Sequence, residues 1–327
     1  MTSQRVLIVL ILILGCIWPM IANALGQTAL VGLATRVLIY AIAAASLNIV
    51  MGFGGMVSFG HAAFFGVGGY AIGILAAHHG TDPLFGLIPG TNAFLIAVPV
   101  AMLLASAVAL IIGSLSLRTG GAQFIMITLA FAQILFFLAV SIKAYGGDEG
   151  LVIRRPNELF GLNLRDRATM YYVTLMFAVA FFAMVWRLRR STLGAVLNGV
   201  RQNERRMVAL GYNTYAIRLY AFVISGAGTG LAGALMANAL RFASPDMLHW
   251  TKSGDFIIMV VLGGLGTLFG PLLGSAAFLV LETYLGAWTQ YWQLPLGLIL
   301  LVVVLGTKGG IMRLLTQVAG WFVRRLP

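Results

Sequence analysis

The chain has 327 residues, of which 60% are hydrophobic and only 9% charged, and its mean hydropathy is +0.97. Soluble domains carry roughly a quarter charged residues, so this composition excludes an ordinary water-facing surface and implies a polytopic membrane protein. The net charge of +12 does not argue for nucleic acid, because the basic residues fall between apolar runs, as they do where loop charge orients a membrane protein.

Apolar runs long enough to span are predicted at about 6–25, 30–50, 56–77, 93–117, 122–141, 171–186, 219–240, 270–287 and 291–307. Residues 6–18 followed by Ala22, Asn23 and Ala24 also have the form of a signal peptide. The leader holds Arg5 as its one basic residue and the chain is polytopic, so 1–25 reads as a retained first helix in preference to a cleaved segment. The lone Cys16 in this run cannot form an internal disulfide, and no Cys/His cluster suggests a metal. A shorter run at 255–268 reaches about 21 Å as a helix, against a bilayer core of roughly 30 Å, and is predicted to be a half-helix or re-entrant segment. The expected fold is an all-α transmembrane bundle of about nine to ten membrane segments, a single domain over 1–327.

Residues 187–218 hold seven of the 21 basic residues and one of the nine acidic ones, which predicts a cytoplasmic loop. Arg5, Arg118 and the basic tail then fall inside, while 78–92 and 142–170 fall outside. Trp288, Tyr291 and Trp292 would mark the outer interface.

Four stretches could carry function. In "LNIVMGFGGMVSFGHAAFFGVGGY", residues 47–70, the glycines of "GFGG" should interrupt a helix. Ala62 with Gly66, and Gly69 with Gly73, fit small-residue packing faces. Asn48, Ser58 and His61 either make interhelical hydrogen bonds or border a substrate path. In "GGLGTLFGP", residues 263–271, four glycines and a proline cannot form a continuous helix, which makes Gly264, Gly266 and Thr267 candidate pathway residues. Breaks in both halves of a chain can signal an internal repeat around a central path. Gly226, Gly230 and Ala234 lie four apart and read as helix packing.

The fourth stretch is "GVRQNERRMVALG", residues 199–211. Val196, Val200, Asn203 and Met207 recur at helical spacing, with Leu210 three residues after Met207, Arg201 and Arg205 stack on another face, and Gly211 suits a helix stop before Asn213. This predicts one short amphipathic helix with an apolar stripe and a basic face. It could lie on anionic headgroups, set topology alone, or dock on a cytoplasmic partner. Topology needs a few basic residues and not a capped helix, which favours docking.

Together, "SLNIVMGFGGMVSFGHAAFFGVGGY", "LSLRTGGAQFIMITLAFAQ", "YGGDEGL", "GVRQNERRMVALG" and "VVLGGLGTLFGPLLG" resemble the membrane subunit of ABC importers of the branched-chain amino acid family, closest to its M-type permease. The resemblance covers about residues 36–310. It implies a non-enzymatic subunit in the bacterial inner membrane, paired with a second homologous permease, two cytoplasmic ATP-binding subunits and a periplasmic substrate-binding protein. It implies no cofactor on this chain, since ATP is bound by the partners. It also places a coupling helix in 187–218, with Val200, Arg201, Asn203, Glu204, Arg205, Arg206, Met207 and Gly211 as candidate contacts. Glu204 and Gly211 are similar to the Glu and Gly of the EAA loop of other importers, although they are seven residues apart here instead of six, and Arg205 and Arg206 stand where alanines are usual.

The residues agree with a transport subunit. No Walker A sequence is present, and no GxSxG, HExxH or comparable catalytic set is found. Permeases of urea and short-chain amide importers are closely similar and form the alternative reading. An ion-coupled secondary transporter would need charged groups within the membrane, for which Arg36 and Glu282 are the candidates, neither with a partner evident from sequence. A channel or membrane enzyme has still less support.

Overall fold

The computed structural model describes residues 15–22, 24, 26–79, 90–154, 157–159, 163–306 and 309–313. Helix α1, Thr28–Asn48, continues through one π turn at Ile49–Phe53. It is followed by α2 (His61–Ala77), α3 (Phe94–Ser116), α4 (Ala122–Ser141) and α5 (Arg167–Arg190). Two short helices, α6 (Thr192–Gln202) and α7 (Glu204–Ala209), lead into the long α8 (Thr214–Leu240). The chain closes with α9 (Trp250–Gly263), α10 (Gly270–Trp288) and α11 (Gln293–Gly306). Two-residue strands β1 (Leu151–Val152) and β2 (Phe242–Ala243) pair antiparallel.

Six helices among the described residues are long and apolar enough to cross a membrane, namely α1 with its π turn, α3, α4, α5, α8 and α10. α2 is apolar but shorter, as is the Gln293–Val303 stretch of α11. The expected polytopic helical bundle is therefore the observed fold. The run predicted at 255–268 begins earlier, at Trp250, and ends earlier, at Gly263. Its 14 residues still make a short helix of about 21 Å. Of the first run, residues 15–22 are described. They are helical and lie against α5, where Tyr171 Oη donates to Gly15 O at 2.7 Å; residues 1–14 lie outside the described residues.

α8 is the central and most buried of the long helices. Lipid tails are as apolar as leucine, so helices associate through close packing and hydrogen bonds, and small residues permit that closeness. Gly226 and Gly230 face Ala109 and Ala105 of α3. Gly68 and Phe65 of α2 abut Gly230 and Gly233, where a Cβ on Gly68 would overlap the Gly230 carbonyl. The packing face predicted at 226–234 is therefore present. The pairs predicted on α2 serve differently: Gly66 and Gly69 accept Leu248 and Met247, from the segment after β2, and Gly73 accepts Leu151. Their nearest partners are side chains of β1 and of the segment after β2.

Among the described residues, the chain order puts the connecting segments at two ends. One end carries β1, β2 and the turn at Pro245–Met247. The other carries the basic pair α6–α7 with the segments after the π turn, after α3 and after α9. At the β end, Asp166 caps α5 by accepting from Thr169 N at 3.0 Å. That backbone donor, with the Thr169 hydroxyl, holds the carboxyl below its usual range.

Candidate functional site

The two predicted helix breaks meet. After the π turn the backbone turns at Gly55, with φ +70°, and after α9 it turns through Gly264 and Gly266, with φ +119° and +72°. These last two values lie where side chains with a Cβ rarely sit. Asn48 joins the breaks: its Nδ2 donates to Thr267 O at 2.8 Å, and its Oδ1 accepts from Gly266 N at 3.0 Å. One buried amide thus satisfies a donor and an acceptor that the broken helix leaves open. Thr267 Oγ1 closes the turn by donating to Gly264 O at 2.7 Å and accepting from Gly270 N at 3.1 Å. Gly52 lies between them, and a Cβ there would overlap Asn48 Oδ1.

Asn48, Gly264, Gly266 and Thr267 are thus brought together, whereas Ser58 and His61 stand apart from them. Ser58 Oγ accepts from Gly60 N at 3.1 Å inside its own turn. His61 Nε2 lies 2.7 Å from Ser225 Oγ, and Ser225 donates its single proton to Ser46 O. With that proton used, His61 must donate from Nε2, and Nδ1 is left without a partner among the described residues. His61 therefore ties α2 to α8 and α1 as an interhelical hydrogen bond. Both side chains are fully buried. Two residues absent from the sequence reading fix the start of α2. Ser253 Oγ accepts from Ala62 N and donates to Phe59 O, and Thr128 Oγ1 accepts from Phe59 N.

The basic stretch is not one helix. Asn203 is extended, with φ −158° and ψ 100°, and its side chain caps α7 by accepting from Arg206 N at 3.0 Å. An asparagine offered an unsatisfied N–H favours this capping geometry over a place inside a helix. Ser191 caps α6 and Asn213 caps α8 in the same way. The stop at Gly211 is a Schellman motif, in which Tyr212 N donates to Met207 O and Gly211 N to Val208 O around the left-handed glycine.

The α6 part of the apolar stripe points inward, while Asn203 and Leu210 are exposed. Val196, Leu197 and Val200 are buried against the bundle, and Met207 packs on Gly199. The break also separates Arg201 from Arg205. Arg201 Nη1 donates to Gly52 O, in the first helix break, while Arg205 and Arg206 are exposed. Glu204 is held by Arg218 of α8 in a two-pronged pair at 2.8 and 2.9 Å. The outward surface is therefore Arg205, Arg206, Val208, Leu210 and Tyr212, the last three 45–63% exposed. Periodicity puts Leu210 on the stripe with Met207, but the Schellman turn carries it outward beside Tyr212. A cleft of about 530 Å³ lies behind the pair α6–α7, reaching Arg201, Gly55 and Leu265.

Arg36 and Glu282, without evident partners in sequence, form an ion pair at 3.7 Å between α1 and α10. Lys252 and Asp255 of α9 form another at 3.3 Å. The second pair falls at and before the start of the apolar run drawn at 255–268, and its i,i+3 spacing was the signal available for it.

The family model described as "Branched-chain amino acid transport system / permease component" matches residues 29–305. The chain is 27% identical to the high-affinity branched-chain amino acid transport system permease protein LivM of Escherichia coli, over 95% of this chain and 75% of that protein. It is 26% identical to BraD of Pseudomonas aeruginosa, of the same description, over 75% of this chain and 81% of that one. A galactofuranose transporter permease of E. coli, YtfT, is 30% identical over 33% of each chain. No solved structure matches. With the family model spanning nearly the whole described bundle and its two helix breaks, this chain belongs to the permease components of branched-chain amino acid transport systems.

Proposed function

We propose that this chain is one permease subunit of an ATP-driven importer of branched-chain or closely related amino acids. Its partners are a second homologous permease, two ATP-binding subunits and an extracytoplasmic substrate-binding protein, and its membrane is the bacterial inner membrane. The family and the relatives named above support this reading, since they are described as branched-chain amino acid transport permeases. The basic end, with seven basic residues against one acidic in 187–218, is assigned to the cytoplasm.

One observation carries the coupling role: α7 shows an apolar and basic surface outward while its other side is fastened inward. Leu210, Val208 and Tyr212 offer area for a groove on an ATPase, and Arg205 and Arg206 offer charge for its rim. Val200, Asn203, Met207 and Gly211 shape this element from within. Arg201 joins it to Gly52 and hence to the Asn48 cluster. A docked ATPase that moves α6–α7 as a body would therefore act directly on the meeting point of the two breaks. Asn48, Gly264, Gly266 and Thr267 are in this reading the moving part next to the path.

Cross-linking tests the reading. In the assembled transporter, Leu210→Cys should cross-link to the ATP-binding subunit. Labelling of the same cysteine by an impermeant reagent added outside intact cells would contradict it.

A further inference from the structure

The two ion pairs lie on three helices that pack on one another, α1, α9 and α10, the first and last of which are long and apolar enough to cross a membrane. Arg36 lies about 12 Å along α1 from Thr28, and Glu282 about 9 Å from the end of α10 at Trp288. Lys252 and Asp255 are on α9, which packs against both α1 and α10. The group is balanced, with two cations and two anions. It is also accessible from outside the chain, since the four side chains keep 26–39% of their surface. Charged groups at such depth are costly against lipid and belong on a water-filled path or a subunit contact.

The pairs are loose. The Glu204–Arg218 fork closes at 2.8 and 2.9 Å, whereas Arg36–Glu282 stands at 3.7 Å, beyond hydrogen-bonding distance, and Lys252–Asp255 at 3.3 Å. Among the described residues neither carboxylate has a further hydrogen-bond donor, and Lys252 retains free N–H capacity. Four groups of alternating sign with unused valence match a ligand that carries an ammonium and a carboxylate on one carbon. The approach is open and basic. A cleft of about 490 Å³ at the β end is lined by Arg36, Arg165, Arg167 and Arg241 against one acid, Asp166, so its net positive lining draws a carboxylate toward Arg36.

We propose that Arg36, Lys252, Asp255 and Glu282 form a zwitterion subsite, in which the cations receive the α-carboxylate and the anions the α-ammonium of the transported amino acid. This rests on the importer reading and adds to it the face of the chain, α1–α9–α10, that lines the path. The side chain of the amino acid then plays little part here, and the subsite accepts any small neutral α-amino acid.

Gly32 and Gly254 provide probes, because a Cβ at either meets nothing within 4 Å. In the assembled transporter with Cys16→Ser, Gly254→Cys and separately Gly32→Cys are treated with a water-soluble thiol reagent. Saturating leucine should slow modification several-fold, while 4-methylpentanoate and 3-methylbutylamine, which each lack one charge, should not. Asp255→Asn and Lys252→Met should abolish the protection. Cysteines that do not react, or that react at one rate with and without leucine, would overturn the subsite. Leucine uptake measured on the same preparations separates the two ideas: uptake without protection removes the subsite alone, whereas loss of all ATP-driven uptake in the Cys16→Ser parent counts against the importer reading.

Discussion

Asn48 shows how much can rest on one side chain. It answers two backbone groups of a segment 218 and 219 residues away, at the place where glycines have removed the usual helix partners. Asn48→Ala leaves both unsatisfied and should cost roughly 2 kcal/mol, read as a lower thermal midpoint of the purified subunit; Asn48→Asp retains an acceptor but no donor and should be no better. Arg201→Ala removes the link from α6 to Gly52. It should leave ATP hydrolysis by the assembly present while lowering uptake several-fold, and an equal fall in both would speak against a linking role. Asp166 is a titration test outside the span. Its carboxyl is held low by the Thr169 backbone N–H, so its contribution is present above the unfolded-state pKa and is lost as pH falls through the folded one. Asp166→Asn should therefore flatten the pH dependence of thermal stability below about pH 4. At this scale the sequence was partly readable. Asn48 and Thr267 stood out as polar groups beside glycine breaks, but nothing local said that they face each other. Arg36 and Glu282 likewise looked solitary because their pairing joins α1 to α10.

Among the elements, those defined by long apolar runs were legible because a bilayer demands about 20 consecutive apolar residues and internal hydrogen bonding. α1, α3, α4, α8 and α10 lie within a few residues of their expected bounds. The breaks were legible too, since glycine clusters and Pro271 cannot sustain a helix. The split at Asn203 was hidden. The apolar spacing runs through it, and the competing preference of an Asn side chain for a capping role decided the outcome. Replacing that cap tests the account: Asn203→Ala should weaken α7 by about 1 kcal/mol, seen as faster amide exchange over 204–209 with α6 unchanged. Gly266→Ala combined with Gly270→Ala should damage the second break. The first places a Cβ at φ +72° and the second drives one into Thr267 Oγ1. Uptake should fall to a small fraction of the parent with the subunit still in the membrane, and unchanged uptake would contradict the account.

For the whole molecule, the bundle is a body with a buried helix, α8, at its centre and two differently equipped ends. The basic end holds the α6–α7 pair, its cleft and the crossing of the breaks. The β end holds the arginine-lined cleft that reaches Arg36 and its ion pair with Glu282. Both equipments belong to a chain whose family is a transport permease; in the proposal above, the basic end takes the energy input and the β end the substrate. The most direct test is uptake by the reconstituted assembly of this chain with its second permease, ATP-binding subunits and substrate-binding protein. Leucine should accumulate in proteoliposomes when ATP and the binding protein are present on their respective sides, and not when either is withheld. Accumulation by this chain alone, driven by an ion gradient without ATP, would contradict the account.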